Sequence, residues 1–103
     1  MSEVSEQVAA SVLFENDSIR VWDDRAAPGQ TLHLHVHRQP YITVILAGER
    51  GETVDEGGGV QRRFDGLRRG DVHYTGADEL PLVHAMRNTG SPELSVLIFE
   101  LLK

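Results

Sequence analysis

The chain contains no cysteine. Disulfide staples, cysteine-ligated zinc, iron–sulfur clusters and a thiol nucleophile are therefore excluded. Positive charge is also scarce: ten Lys and Arg stand against sixteen Asp and Glu, a formal charge of −6. A dedicated nucleic-acid binder needs a net basic face to neutralise phosphates, so nucleic acid is not an expected partner. No run approaches the ~18 consecutive apolar residues of a membrane-spanning helix, and no membrane partner is expected. Residues 1–10 carry Glu3 and Glu6 and lack a basic stretch followed by an apolar one. No secretory signal is expected there, and the cytoplasm is the default location. Sustained helical periodicity is missing too, and 103 residues are material for one small domain.

Turn residues are plentiful. They recur at Asn16-Asp17, Pro28-Gly29, Gly48 to Gly51, Gly57 to Gly59, Asp65-Gly66, Gly70, Gly76 and Asn88 to Pro92. Between them lie short segments rich in β-branched and aromatic residues, the spacing of an all-β sandwich or barrel. The pattern predicts strands over Val12–Glu15, Ile19–Arg25, Thr31–Arg38, Tyr41–Ala47, Gly51–Asp55, Val60–Phe64, Asp71–Thr75, Leu82–Arg87 and Glu93–Leu101. A short helix fits Glu3–Ala10, making residues 1–10 an N-terminal arm and residues 11–103 the domain. The segments Ile42–Leu46 and Val96–Leu102 are apolar on both faces. An antiparallel sheet normally shows one face to water, so a two-sided apolar strand implies a second cover. So short a chain has little material for one, and a homodimer is expected; the alternative is a thick sandwich with the helical N-terminus laid over the outer face.

Five histidines are present, three of them in Thr31-Leu32-His33-Leu34-His35-Val36-His37. Strand side chains alternate between faces, so the spacing predicts that His33, His35 and His37 share one face and the aliphatics the other. Two imidazoles at i and i+2 can converge on one metal ion. A third must come from another strand, and His73 and His84 are the candidates. Isolated histidines on strands are more often surface or hydrogen-bonded residues, but three alternating ones in a small core need a reason.

The frame around these residues resembles the small single-domain cupins. Their first motif runs Gly, five residues, His-x-His, three or four residues, Glu, six residues, Gly. Here Gly29, His35-Val36-His37, Tyr41 and Gly48 keep those spacings, with Tyr41 standing where the carboxylate belongs. The second motif is looser. Gly70-Asp71 opens it, Gly76 and Asp78 take its Pro and second Gly positions, and His84 and Asn88 close it after an insertion around Glu79 to Pro81. The resemblance runs from Val12 to Leu101. It implies a cupin-type double-stranded β-helix, or jelly-roll barrel, holding a divalent transition metal. Carried over by position, the metal ligands are His35, His37 and His84, while Gly29, Gly48, Gly70 and Asn88 are structural.

Without the carboxylate, three neutral imidazoles leave a divalent metal its full charge, which lowers the pKa of bound water and favours anionic substrates. Three-histidine cupins include thiol dioxygenases and a diketone-cleaving dioxygenase, both using ferrous iron; this chain is similar to them in ligand set alone. The implied function is a metal-binding cupin acting on a small anionic organic molecule, with an Fe(II) dioxygenase first. A Ni, Mn or Zn isomerase or lyase, or a non-catalytic small-molecule sensor, are the alternatives. Tyr41 admits three readings: a phenolate ligand, an acid/base or orienting hydrogen-bond donor, and plain packing. His33 is expected beside the pocket as a proton acceptor or a mouth residue. His73 is expected outside the barrel, and Met86 on the pocket face with His84. Arg62-Arg63, Arg68-Arg69 and Asp23-Asp24-Arg25 read as solvated strand ends, although one of those acids could brace a ligating histidine.

Overall fold

Nine strands follow one another in a computed structural model that describes residues 4–103. They are β1 (Ser11–Glu15), β2 (Ile19–Ala26), β3 (His35–His37), β4 (Tyr41–Ala47), β5 (Gly51–Val54), β6 (Val60–Phe64), β7 (Val72–Thr75), β8 (Leu82–Asn88) and β9 (Leu94–Leu101). A single turn of 3-10 helix over Ala77–Glu79 and a cis Leu80–Pro81 peptide occupy the insertion before β8. Among the described residues no helix is long and apolar enough to cross a membrane.

The strands form two antiparallel sheets, a five-stranded one in the order β1-β2-β9-β4-β7 and a four-stranded one in the order β3-β8-β5-β6. Period-two alternation sends Leu94, Val96 and Ile98 of β9, Trp22 and Ala26 of β2, and Tyr41 and Ile45 of β4 into the space between them. Glu100 lies on that inner face, buried, where it accepts a hydrogen bond from the Trp22 indole with the Arg20 guanidinium 3.6 Å away. Gly48 is required at the β4–β5 turn. Its φ is +135°, and a Cβ there would stand 2.6 Å from Leu94 Cδ1.

The N-terminal segment differs from the expected helix. Glu3 lies outside the described residues, and residues 4–10 contain no helix. Instead Ser5 forms a parallel bridge with His35, and Val8 and Ala9 are buried in the core. Among the described residues of the arm, Ser5 thus lines the edge of β3, and Val8 and Ala9 pack into the core in place of a helix laid over the outer face.

The histidine strand is also shorter than its alternation predicts. Thr31 bridges Arg87 and His35 faces His84, so four steps along one chain stand against three along the other. That one-residue slip breaks the ladder over residues 32–34, and only His35–His37 remains strand.

Candidate metal centre

Direct register brings three imidazoles together. His35 and His37 are two residues apart on β3, and His84 of β8 is the direct cross-strand partner of His35. Ring centroids lie 4.7 Å apart for His35–His37, 4.7 Å for His35–His84 and 4.9 Å for His37–His84, each pair nearly perpendicular. One ring nitrogen from each falls within 4.8 Å of the others. All three residues are buried.

Burial sets their protonation. Loss of solvation lowers the pKa of His35 to about 4, of His37 to about 2 and of His84 to about 3, with neighbouring imidazoles pushing the same way. At neutral pH all three rings are uncharged, the state in which imidazole offers a lone pair. The His35 tautomer is fixed as well. Its Nδ1 lies 3.3 Å from the His33 carbonyl, which can only accept, so Nδ1 carries the proton and Nε2 keeps its lone pair. That Nε2 is 2.9 Å from Nε2 of His37. Two nitrogens each ~2.1 Å from one ion, at angles of ~90–109°, stand ~3.0–3.4 Å apart. The donor set fits a transition metal, which His35, His37 and His84 could hold.

Among the described residues no carboxylate joins this group. Tyr41, at the position of the family's glutamate, lays its ring flat on His37 with centroids 3.8 Å apart and planes 17° apart. Its hydroxyl hydrogen-bonds with Thr75, and burial raises the phenol's pKa. Such an environment favours the neutral phenol over a phenolate ligand.

The three imidazoles line a cavity of about 230 Å³ whose walls also include Tyr41, Thr43, Ile45, Leu67, Met86 and Ile98. Met86 faces it as expected; His73 reverses its expectation. Val72 and Tyr74 are 61% and 62% exposed and take the outer face of β7, which turns His73 between them into the cavity. Alternation gives the face of each residue relative to its neighbour, but two flanking apolar residues suggested the wrong assignment of inside and outside.

His33 goes the other way. The slip in pairing puts it out of phase with His35 and His37: it is exposed, does not line this cavity, and its Nε2 hydrogen-bonds to the Gln7 carbonyl at 2.9 Å. The three-histidine face expected of one continuous strand is therefore a two-histidine face. Asp24 departs from its expected exposure, being 5% exposed and lining the cavity. Burial raises its pKa from 3.8 to about 6, and the backbone N–H of Arg25 donates to it at 3.2 Å. The acid run Asp23-Asp24-Arg25 hid this burial, because the inward position of Asp24 follows from pairing with Val96 across β9.

No family model and no curated protein matches the chain at the level of sequence. Solved structures do match. A cupin domain from Bordetella pertussis is 20% identical, covering 98% of this chain and 97% of its own length with a TM-score of 0.73. A predicted oxalate decarboxylase from Thermotoga maritima is 26% identical over 84% of this chain and 69% of its own, with a TM-score of 0.58. A DMSP lyase from Ruegeria pomeroyi is 23% identical over 84% of this chain and 39% of its own, with a TM-score of 0.57.

Proposed function

We propose, from the cupin double-stranded β-helix fold of this chain, that it is a metal-dependent protein acting on a small anionic organic molecule. His35, His37 and His84 hold one divalent transition metal, with Fe(II) the first candidate and Ni, Mn and Zn next. The observation that carries this reading is the convergence of three buried, uncharged imidazoles, joined by no carboxylate of the described residues, on the wall of a cavity. When bound, the metal supplies a Lewis-acidic centre of undiminished +2 charge with open coordination positions. The chain's own groups do the rest. His33 fixes the His35 tautomer through its carbonyl, Tyr41 buttresses His37, and Ile45, Ile98 and Leu67 keep the wall apolar.

The first subclass is an Fe(II) dioxygenase, the ligand set being that of the three-histidine cupins. A metal-dependent lyase is the second reading, and the decarboxylase and lyase among the solved neighbours favour it. Elemental analysis of untagged protein tests the metal. We expect about one transition-metal ion per chain after reconstitution, and less than about 0.1 in a His35→Ala/His37→Ala variant; wild-type protein at that low level would overturn the reading. Oxygen uptake with candidate anionic substrates then separates the dioxygenase from the lyase, and binding without turnover of any substrate would indicate a sensor.

The same reading includes a homodimer. Cross-strand register aligns Phe14, Val21, Phe99, Ile42 and Tyr74 in one row across all five strands of the larger sheet. Leu97, Val44 and Val72 align beside them. This row lies on the face opposite the cavity, with Phe14, Val72 and Tyr74 each more than half exposed. A twofold interface needs a self-complementary patch, and this apolar row offers one, with Asp23 and Arg25 of β2 paired to each other at 3.9 Å on the same face.

A further inference from the structure

Among the described residues two buried side-chain nitrogens lack a hydrogen-bond partner, Nδ1 of His37 within the imidazole cluster and Nε2 of His73 outside it, and both residues line the cavity. Nε2 of His73 is buried and has no hydrogen-bond partner among the described residues. A buried polar group left unpaired costs stability and calls for a partner. The ring itself is held in place: it meets the Phe64 ring edge-on, with centroids 5.2 Å apart. Its strand partner across β4 is Thr43, and both residues line the cavity that His35, His37 and His84 share.

Register gives the spacing. On β4 and β7, Tyr41 faces Thr75 and Thr43 faces His73, so His73 stands one pleat repeat, ~6.8 Å, from the Tyr41–Thr75 pair. Tyr41 in turn rests on His37. The surroundings decide the charge of what His73 meets. Ile45, Ile98, Leu67 and Phe64 are apolar, and the nearby Arg62 lies 3.6 Å from Glu79. An anion at His73 would be buried without a counter-charge, whereas a neutral oxygen would not.

Building on the metal reading above, we infer that His73 is the second anchor of the ligand. It hydrogen-bonds a keto or hydroxyl oxygen while the ligand's carboxylate lies at the His35–His37–His84 end. The ligand class is a short carboxylic acid bearing a neutral oxygen two or three carbons from the carboxylate. His73 is thus a specificity residue.

Calorimetric titration of zinc-reconstituted protein with pentanoate, 4-oxopentanoate and 4-hydroxypentanoate tests this, because the three acids share a chain length and differ in the oxygen. At least one oxygenated acid is expected to bind wild-type protein about tenfold more tightly than pentanoate, the effect of one hydrogen bond to an otherwise unpaired atom. In His73→Leu that ratio falls to about one, with pentanoate affinity and metal content unchanged; His73→Gln, whose amide both donates and accepts, restores part of it. Should His73→Leu not fold, His73→Phe, which keeps a ring against Phe64, carries the same test. A ratio that is the same with and without His73, or no binding of any of the three acids, overturns the inference. Failure of the metal reading shows separately as wild-type protein without zinc. A His73-dependent ratio in that protein would sustain this inference while the metal reading fell.

Discussion

Asp24 is the residue whose environment disagrees most with its chemistry. Loss of solvation raises the pKa of its buried side chain to about 6, with Asp23 pushing the same way, and outweighs the lowering by the Arg25 and Ala10 backbone N–H groups and by His33. A carboxyl whose pKa is higher in the folded state than the unfolded one binds its proton more tightly when folded. Its contribution to stability is therefore present below about pH 4 and lost as pH rises through about 6. Asp24→Asn is expected to raise stability at pH 7 by up to about 3 kcal/mol, the worth of moving a carboxyl from 3.8 to about 6, and to change little at pH 4. Urea unfolding at the two pH values checks it; equal gains at both would contradict the account. At this scale the sequence was informative where spacing alone sufficed: the i, i+2 pair His35 and His37 needs only a strand. Asp24 and His73 were misread because their inward orientation depends on which face of β2 and β7 meets the other sheet, a relation set by partners distant in the chain.

Elements show the same division between local and distant information. β4 and β6 run as the turn residues and β-branched content predict, because both signals are local. β3 does not, since the slip against β8 that shortens it arises in pairing and leaves no mark on the alternation of residues 31–37. Asn88, read as structural from its motif position, closes β8 in a way that makes its role measurable. It is fully buried, and its amide donates to the Ala26 and Pro92 carbonyls at 3.0 and 2.8 Å and accepts from the Gly90 N–H at 2.9 Å. One side chain thus joins the end of β2 to the turn that leads into β9. Removing it in Asn88→Ala strands three backbone groups, and a loss of about 3 kcal/mol is expected. Thermal unfolding would show it as a midpoint lowered by about 10 °C or more. A shift of only a degree or two would mean that water replaces the amide.

On the scale of the whole molecule, the two-sided apolar strands were the clearest long-range signal in the sequence. Ile42 and Val44 alternate with cavity-facing Tyr41, Thr43 and Ile45, so β4 carries apolar side chains on both faces. The proposed dimer predicts a light-scattering mass of twice the 11.4 kDa chain at micromolar concentration, returning to the single-chain value in Val72→Lys/Tyr74→Lys. Those positions are more than half exposed, so the substitutions leave the chain's own core intact, and a wild-type mass near 11.4 kDa would refute the dimer. The arm has a different consequence. β3 is the edge of its sheet, and its free side is occupied by Ser5, whose N–H donates to the Leu34 carbonyl at 3.0 Å and whose carbonyl accepts from the Val36 N–H at 2.9 Å. The strand that presents His35 and His37 is thus latched by a segment thirty residues upstream, which holds its backbone and is not among the residues that line the cavity. Whatever draws that segment away, whether a fused tag, a protease or exchange with the arm of another copy, unlatches the strand that carries His35 and His37 from a distance. Ser5 is in that sense a remote handle on the site.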